Sequence, residues 1–323
     1  MSDRVLVTGG CGYIGAVVVE ELLDAGRDVR VLDTLLHKQS GIAEAQRAKG
    51  VDVIEGDIRD AELRARALDD VFAVIHLAAI VGDPACARDP QLAQEVNVEA
   101  TKALAAEARD AGVERFVFAS TCSNYGRVSD PTVAVTEEAP LAPVSLYAEQ
   151  KVAVEKLLLS GEYKPMGVTC LRLATIYGVA PRMRFDLTVN EFVRDLWADR
   201  ELEVFGEQFW RPYVHVRDAA RAMRIVLDAD GVDGEVFNVG RSGENYTKKM
   251  LVEEITAVIP RGKVSYVHRD EDPRDYQVNF DKVRSTLGFE TLVCVPDGVR
   301  EVAAALDEGR FRDPFELSHR NIP

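Results

Sequence analysis

The sequence has few of the features that mark secreted, membrane-spanning or metal-binding proteins. Its five cysteines are scattered over 323 residues without a Cys-x-x-Cys pair, which argues against a zinc site and a disulfide framework. We expect reduced, mostly buried thiols and no metal. No apolar run approaches the roughly 20 residues of a membrane-spanning helix, and the first residues lead straight into a predicted strand without a signal peptide. We therefore expect a cytoplasmic protein with no membrane partner.

Positive charge is also scarce. The 39 lysines and arginines are outnumbered by 54 aspartates and glutamates, which gives a net charge of -15. Nucleic acids and anionic membranes would be repelled, so we expect no nucleic-acid partner. An anionic small substrate would need a local basic pocket. The length is sufficient for two lobes around a shared cleft, and we find no internal repeat or low-complexity tract.

Glycines interrupt the first apolar run, where a strand would lead into a helix. Gly10, Gly12 and Gly15 fit a dinucleotide turn: the first lets the chain turn, the second lets the backbone approach a pyrophosphate, and the third lets helix and strand pack closely. An ordinary strand-to-helix turn could carry the same glycines. However, the next predicted strand ends in Asp33, near the spacing of about twenty residues expected for a carboxylate that binds ribose hydroxyls. The pattern therefore favours a dinucleotide with its phosphates at a helix N-terminus.

Apolar, β-rich runs alternate with helical patterns through the first 240 residues. This alternation predicts an α/β fold with a Rossmann-type, doubly wound parallel sheet of about seven strands. After the first two strands, the predicted strands are 51–54, 73–77, 115–119, 168–173 and 235–239. We expect residues 1–177, completed by 212–240, to form the dinucleotide-binding lobe. The remaining segments, 178–211 and 241–323, would form a smaller α+β substrate-binding lobe, with the ligand between the lobes.

Tyr147 and Lys151 stand four positions apart in a predicted helix, so both side chains can lie on one face. An ammonium beside a phenol stabilises phenolate, and we expect the pKa of Tyr147 to fall from about 10. Tyr147 could then accept a proton near neutral pH. Taken alone, a tyrosine and a lysine at this spacing are more typical of a solvent-exposed helix face than of a catalytic pair. The predicted strand 115–119 favours chemistry, because it leads directly into Ser120 and Thr121 and so places hydroxyls at the carboxyl edge of the sheet.

Taken together, these motifs resemble those of extended short-chain dehydrogenase/reductases, within the nucleotide-sugar epimerase/dehydratase family. The matching elements cover nearly the whole chain in the right order. They are the turn from Thr8 to Gly15, Gly56-Asp57-Ile58, His76-Leu77-Ala78-Ala79, Asn97, Thr121, Tyr147 with Lys151, and the run from Arg211 to Asp218.

The resemblance implies NAD as the cofactor and Thr121, Tyr147 and Lys151 as catalytic residues. Asp33 would favour NAD over NADP, because a 2′-phosphate would meet its charge. The cofactor-binding residues implied by the resemblance are Gly9, Gly12, Tyr13, Ile14, Gly15, Asp33, Asp57, Ile58, Leu77, Ala78, Ala79, Asn97, Tyr147 and Lys151.

The implied substrate is a nucleotide-diphosphate sugar. Ser123, Asn190, Arg211 and Arg274 would bind it, and Arg182 and Arg184 would add to the local basic pocket. The resemblance also implies a homodimer formed through a four-helix bundle. Its helices would come from stretches 92–111 and 145–159 of each subunit.

One departure from the family bears on the reaction. The 4,6-dehydratases carry an Asp-Glu pair directly after the catalytic hydroxyl, where this sequence has Cys122 and Ser123. Dehydration and uronate decarboxylation are therefore disfavoured. The leading expectation is an NAD-dependent nucleotide-sugar 4-epimerase acting through a transient 4-keto sugar. The alternatives are an NAD(P)H-dependent 4-ketoreductase of 4-keto-6-deoxysugars, a 3,5-epimerase that uses Cys122 or Ser123, and a non-enzymatic NAD-binding regulator.

Overall fold

The computed structural model describes residues 3–270, 272 and 274–321. Its strands are β1 (Val5–Thr8), β2 (Val29–Asp33), β3 (Asp52–Glu55), β4 (Ala73–His76), β5 (Arg115–Thr121), β6 (Gly167–Leu173), β7 (Thr175–Tyr177), β8 (Glu201–Phe205), β9 (Trp210–His215), β10 (Val236–Val239), β11 (Asn245–Thr247) and β12 (Lys263–Val267).

The helices alternate with the strands through the first part of the chain. They are α1 (Tyr13–Asp24), α2 (Ser40–Ala48), α3 (Ala61–Leu68), α4 (Asp83–Arg88), α5 (Pro90–Gln94), α6 (Thr101–Asp110), α7 (Leu146–Leu158), α8 (Thr188–Trp197), α9 (Val216–Asp228), α10 (Lys248–Val258), α11 (Asp281–Leu287) and α12 (Val295–Asp307). A π-helical stretch, Glu95–Ala100, joins α5 to α6.

A parallel sheet of seven strands forms the centre of the molecule, in the order β10-β6-β5-β4-β1-β2-β3. Every strand pair in it is parallel. This arrangement confirms the predicted Rossmann-type fold. The chain moves outward in opposite directions from β1 and β4, so a crevice is expected at their carboxyl ends, where open α/β sheets bind ligands.

Both faces of the sheet are covered, because alternate residues of each strand enter different hydrophobic cores. In β1, Val5 and Val7 belong to the core that also contains residues of α1 and α9. Leu6 belongs to the core that contains residues of α6 and α7. Burial on both faces explains why these strands are nearly continuous apolar runs in the sequence.

Two smaller sheets lie outside the central one. β7, β9 and β11 form a three-stranded sheet, and β8 pairs with β12 in parallel. α8, α10 and α12 pack against one another. β9 thus pairs outside the seven-stranded sheet, whereas α9, which follows it, packs against α1. The division of the chain into two lobes at residues 177, 212 and 240 stays a prediction.

Candidate active site

A cleft along the carboxyl edge of the central sheet brings together all but one of the predicted cofactor-binding residues. The exception is Asn97. The predicted residues that line the cleft are Gly9, Gly12, Tyr13, Ile14, Gly15, Asp33, Asp57, Ile58, Leu77, Ala78, Ala79, Tyr147 and Lys151.

The glycine turn forms one wall of this cleft and tolerates no side chain at two positions. Gly9 has a φ of +72°, and a Cβ there would lie 2.9 Å from the backbone nitrogen of Ala78. A Cβ on Gly15 would lie 2.0 Å from the carbonyl oxygen of Gly9. Within the described chain, no side chain caps the N-terminus of α1. The free N–H groups of that helix end therefore suit a phosphate.

Asp33 ends β2 at the edge of the cleft and is 7% exposed. Its carboxylate accepts hydrogen bonds from the backbone N–H groups of Cys11, at 2.9 Å, and Leu35, at 2.8 Å. Burial raises the pKa of Asp33, and the two N–H groups oppose that shift. The carboxylate is thereby fixed beside the glycine turn.

Asp57 follows β3 and forms an ion pair with a neighbouring arginine. The Arg59 guanidinium lies 2.8 Å from one carboxylate oxygen and holds the pKa of Asp57 below its usual value. Arg59 also pairs with Glu95, at 2.7 Å. The pairing links the loop after β3 to the π-helical stretch.

Asn97 lies beneath the cleft instead of lining it. Its side-chain oxygen accepts a hydrogen bond from the N–H of Ile80, at 2.7 Å, and its amide nitrogen donates to the carbonyl of Ile80, at 3.0 Å. The same nitrogen donates to Gln150, at 2.9 Å. Asn97 thus holds the loop after β4, whose residues line the cleft.

Tyr147 and Lys151 both lie on the cleft side of α7, where Ser145 caps the helix by accepting from the N–H of Ala148. The Nζ atom of Lys151 lies 5.9 Å from the centre of the Tyr147 ring. It donates a hydrogen bond to the carbonyl of Ala119, at 2.7 Å. Burial lowers the pKa of Lys151 from 10.5 to about 8.

The pKa of Tyr147 is shifted in the direction opposite to our expectation. Burial raises it, and the cation that opposes this rise is Arg184, not Lys151. The half-buried phenol is therefore protonated at neutral pH. Lys151 therefore does not lower the pKa of Tyr147 in the cofactor-free protein, contrary to our prediction.

Thr121 ends β5, and its hydroxyl oxygen accepts a hydrogen bond from the N–H of Ser123, at 3.1 Å. Cys122 is only 1% exposed, its thiol donates to the carbonyl of Arg172, and burial raises its pKa. A buried thiol of raised pKa is a poor acid or base, so Cys122 cannot replace a catalytic carboxylate.

The predicted substrate-binding arginines lie next to each other. Arg211 donates a hydrogen bond to the carbonyl of Arg274, and its guanidinium pairs with Asp272, at 2.7 Å. Arg274 pairs with Asp83, at 2.9 Å. Two carboxylates therefore balance the two guanidinium groups. The other two arginines of the expected basic pocket, Arg182 and Arg184, line the cofactor cleft instead.

Asn190 does not lie on the cleft, because it is fully buried. Its oxygen accepts from the N–H of Gly178, at 3.0 Å, and its nitrogen donates to the Tyr13 hydroxyl, at 3.2 Å, and the Arg184 carbonyl, at 2.9 Å. The side-chain oxygen and nitrogen of Asn190 are thus both engaged in hydrogen bonds within the protein. Asn190 thus fixes a loop and is not placed to bind a substrate.

Several cleft residues were missed or misplaced by sequence reasoning. Arg182 and Arg184 line the cofactor cleft together with Asn321, not the region of Arg211. Their charge was a usable signal, but their position depends on contacts with the distant α1. Asn321 lies far along the chain from the motifs that define the cleft, so no local pattern could have identified it.

Other sequence-based expectations concern metals, membranes and thiols. Over the described ranges, no helix is long and apolar enough to cross a bilayer, and no group of His, Cys, Asp and Glu could hold a metal ion. All five cysteines are free, and four of them are buried, as expected. His76 is buried between the hydroxyls of Thr8 and Thr101, at 2.7 and 2.8 Å, and has no access to the cleft.

The parallel sheet, the uncapped helix end behind the glycine turn and the Tyr147–Lys151 pair define a dinucleotide-dependent α/β enzyme. A sequence profile of the NAD dependent epimerase/dehydratase family matches residues 5–240. The chain belongs to this family, and NAD is its cofactor.

Curated relatives and solved structures agree with this assignment. The chain is 32% identical to a UDP-glucose 4-epimerase of Mycolicibacterium smegmatis, over 92% of this chain and 96% of the relative. It is 30% identical to a dTDP-glucose 4,6-dehydratase of Streptomyces niveus, over 92% and 91% of the two chains. The crystal structure of a dTDP-glucose 4,6-dehydratase from Streptomyces venezuelae, which contains NAD, superposes with a TM-score of 0.85 at 29% identity, over 97% of this chain and 100% of that one. Relatives of similar identity thus catalyse different reactions.

Proposed function

We propose that the protein is an NAD-dependent nucleotide-sugar 4-epimerase that acts through a transient 4-keto sugar. The observation that carries this proposal is the combination of the Tyr147–Lys151 pair on the cofactor cleft with the buried thiol of Cys122. The first supplies a proton acceptor for a sugar hydroxyl. The second stands where the dehydratases carry a carboxylate and is unable to replace it. Oxidation and reduction at one carbon fit the remaining groups.

Tyr147 is assigned the proton transfer at the C4 hydroxyl. NAD, when bound, supplies the hydride acceptor and a positive charge at its nicotinamide ring. Because burial keeps the Tyr147 phenol protonated in the free protein, additional positive charge near the ring is needed to favour phenolate. Lys151 is assigned the orientation of the nicotinamide ribose. Its ammonium lies one helical turn from Tyr147.

Thr121 is assigned the orientation of the reacting sugar oxygen. Its hydroxyl oxygen already accepts the N–H of Ser123, which leaves the hydroxyl hydrogen free to be donated. A donor is appropriate because the sugar oxygen becomes more negative as its proton leaves.

Arg211 and Arg274 are assigned to the nucleotide diphosphate. Guanidinium groups bind phosphate in a bidentate manner, and the Arg211 guanidinium is held beside the backbone of Arg274 by a hydrogen bond to its carbonyl. Binding must exchange the ion pairs with Asp272 and Asp83 for pairs with phosphate. We expect affinity for the diphosphate to depend on both arginines.

The proposal is tested with a panel of UDP-, dTDP-, GDP-, CDP- and ADP-sugars, with products identified by nuclear magnetic resonance. A 4-epimerase interconverts one sugar pair with no lasting change in nicotinamide absorbance. Stoichiometric NADH consumption with a 4-keto-6-deoxysugar would instead identify a ketoreductase. Release of water from the hexose would identify a dehydratase, and absence of any turnover would favour a regulatory protein.

We also propose a homodimer in the cytoplasm. α6 and α7 pack side by side, and partly exposed apolar residues of these helices, including Ala106 and Leu157, border the core beneath them. A second copy could cover this surface with the same two helices, forming a four-helix bundle. Five free cysteines suit a reducing compartment. Cell fractionation tests the location, and light scattering of the purified protein tests the dimer.

A further inference from the structure

Arg182 is a buried cation in the cofactor cleft without an ion pair to any carboxylate of the described residues. Its side chain is 6% exposed. The other cleft arginines are paired, Arg59 with Asp57 and Arg184 with Asp186, both at 2.8 Å. Arg182 instead donates to two neutral oxygens, the side chain of Asn321 at 2.6 Å and the carbonyl of Arg320 at 3.0 Å. Its Nε atom is buried and has no hydrogen-bond partner.

A buried guanidinium in this state is costly, because neutral oxygens do not replace the hydration of a full charge. The cost is visible in its pKa, which burial and the nearby Arg184 lower to about 10. An anion entering the cleft would remove the cost and could accept from the unpartnered Nε. The arrangement therefore suits a negatively charged ligand.

The loop that carries Arg182 is fixed at the N-terminus of α1. The Tyr13 hydroxyl, in the first turn of α1, donates to the carbonyl of Gly178, at 2.7 Å. Asn190 ties the other end of the loop by donating to the Tyr13 hydroxyl and the Arg184 carbonyl. Arg182 thus faces the same cleft as the helix end at which the backbone N–H groups suit a phosphate.

A second segment, residues 311–321, holds Arg182 in this position. Phe185 packs edge-on against Phe311 and His319, with ring centres 5.2 and 5.5 Å apart. The N–H of Phe185 donates to the His319 carbonyl, at 2.9 Å, and the N–H of Asn321 donates to Asp186, at 3.1 Å. The segment is therefore bound to the Arg182 loop through apolar, backbone and charged contacts.

We propose that Arg182, oriented by Asn321 and the Arg320 carbonyl, binds the pyrophosphate of NAD, so that the 311–321 segment completes the cofactor site and slows cofactor release. The pyrophosphate is the anionic part of NAD. The 2′-phosphate of NADP offers the same chemistry, but the Asp33 carboxylate also lines this cleft and would repel it. We therefore assign the pyrophosphate as the ligand of Arg182.

The test measures the exchange of bound NAD for isotopically labelled NAD in the holoprotein, and the affinity of NAD-stripped protein for NAD, ADP-ribose, NADP and adenosine. Arg182→Gln should weaken the binding of NAD and ADP-ribose roughly tenfold to hundredfold, because a charge-assisted hydrogen bond is lost. Adenosine lacks the pyrophosphate and should bind unchanged. NAD exchange should accelerate by a similar factor.

Asn321→Asp provides a second, nearly isosteric variant that leaves Arg182 in place. The new carboxylate would pair with Arg182 and compete with the pyrophosphate, so NAD should again bind more weakly and exchange faster. Arg310→Gln is the matched control. Arg310 belongs to the stretch just before the segment, but it is exposed and paired with Glu308, so NAD binding should not change.

Unchanged NAD exchange and unchanged affinity for NAD and ADP-ribose in Arg182→Gln and Asn321→Asp would overturn the proposal, and a lower melting temperature would then make Arg182 a structural anchor. A loss confined to NADP would also overturn it, because Arg182 would then read the 2′-phosphate. None of these measurements requires turnover, so the result is independent of the reaction that the protein catalyses.

Discussion

Burial sets the protonation of both members of the Tyr147–Lys151 pair. It raises the pKa of the phenol, which stays neutral at pH 7, and lowers that of the ammonium to about 8, so Lys151 stays mostly charged at pH 7 although burial opposes its charge. The spacing of the two residues was sufficient to identify the pair. The pKa directions were not predictable from the sequence, because Asp83 and Arg184, which act on Tyr147, are brought near it only by the fold.

Lys151→Met should stabilise the protein at pH 7 while removing turnover. Below pH 8 Lys151 is charged in the folded protein, and burying this charge lowers the free energy of unfolding. Between about pH 8 and 10.5 the folded protein loses the proton, while the unfolded chain still retains it. Stability of the natural protein therefore rises with pH over this range. At pH 7 the variant should gain up to about 3 kcal/mol in free energy of unfolding. Urea unfolding at pH 7 and pH 10 measures this, and an equal gain at both would contradict the explanation.

Tyr147→Phe should retain NAD affinity but lose turnover by a factor of roughly 100 to 10,000, the usual effect of removing a general base. Steady-state kinetics and NAD titration give the two quantities. Tyr163→Phe is the control, because the Tyr163 hydroxyl is buried without a hydrogen-bond partner and its loss should affect neither. A natural turnover rate in Tyr147→Phe would refute the assignment of the base.

At the scale of elements, the strands of the central sheet were predicted to within two residues, since buried parallel strands are nearly continuous apolar runs. The pairing of β9 with β7 and β11 was not predicted, because short strands of small sheets carry no signal for their partners. The position of the Arg182 loop was also unpredictable. It depends on a hydrogen bond between Tyr13 and Gly178, which are 165 positions apart.

The loop after β4 depends on the π-helical stretch below it, which carries Asn97. Asn97→Ala would leave the N–H and carbonyl of Ile80 without their side-chain partner, at a cost of about 1–3 kcal/mol. Because this loop lines the cofactor cleft, NAD affinity should fall as well. Thermal unfolding and NAD titration check both effects. Gln94→Ala, which removes only an exposed hydrogen bond to Glu99, should leave NAD affinity unchanged; an equal loss there would contradict this account.

At the scale of the whole molecule, the composition predicted a protein whose overall charge repels its anionic ligands. The net charge is -15, yet arginines of the described residues lie in or beside the proposed ligand sites, among them Arg59, Arg182, Arg184, Arg211 and Arg274. The predicted basic pocket is divided in the structure: Arg182 and Arg184 line the cofactor cleft, whereas Arg211 and Arg274 lie beside each other and are not among the residues that line it. The sequence could not show that all of these arginines except Arg182 are already paired with carboxylates.

Ala153→Glu should convert the proposed dimer into a monomer, because a charged side chain in the middle of α7 cannot be buried between packed helices. Ala153 is exposed in the single chain, so the variant should fold and bind NAD normally. Light scattering gives the mass of each form. Ala65→Glu, an equivalent change at an exposed alanine of α3, should remain dimeric. A dimeric Ala153→Glu variant would place the subunit contact elsewhere.

The position of β10 in the chain has a consequence for biosynthesis. β10 pairs with β6 at one edge of the sheet, but it is synthesised only after β7, β8 and β9. Until then, a nascent chain that has formed the other six strands has β6 at the edge of its sheet. There β6 is unpaired on one side, although all its residues are buried in the folded protein. Such an edge can recruit strands from other chains. The nascent chain should therefore need chaperone protection most while residues 174–235 are being synthesised.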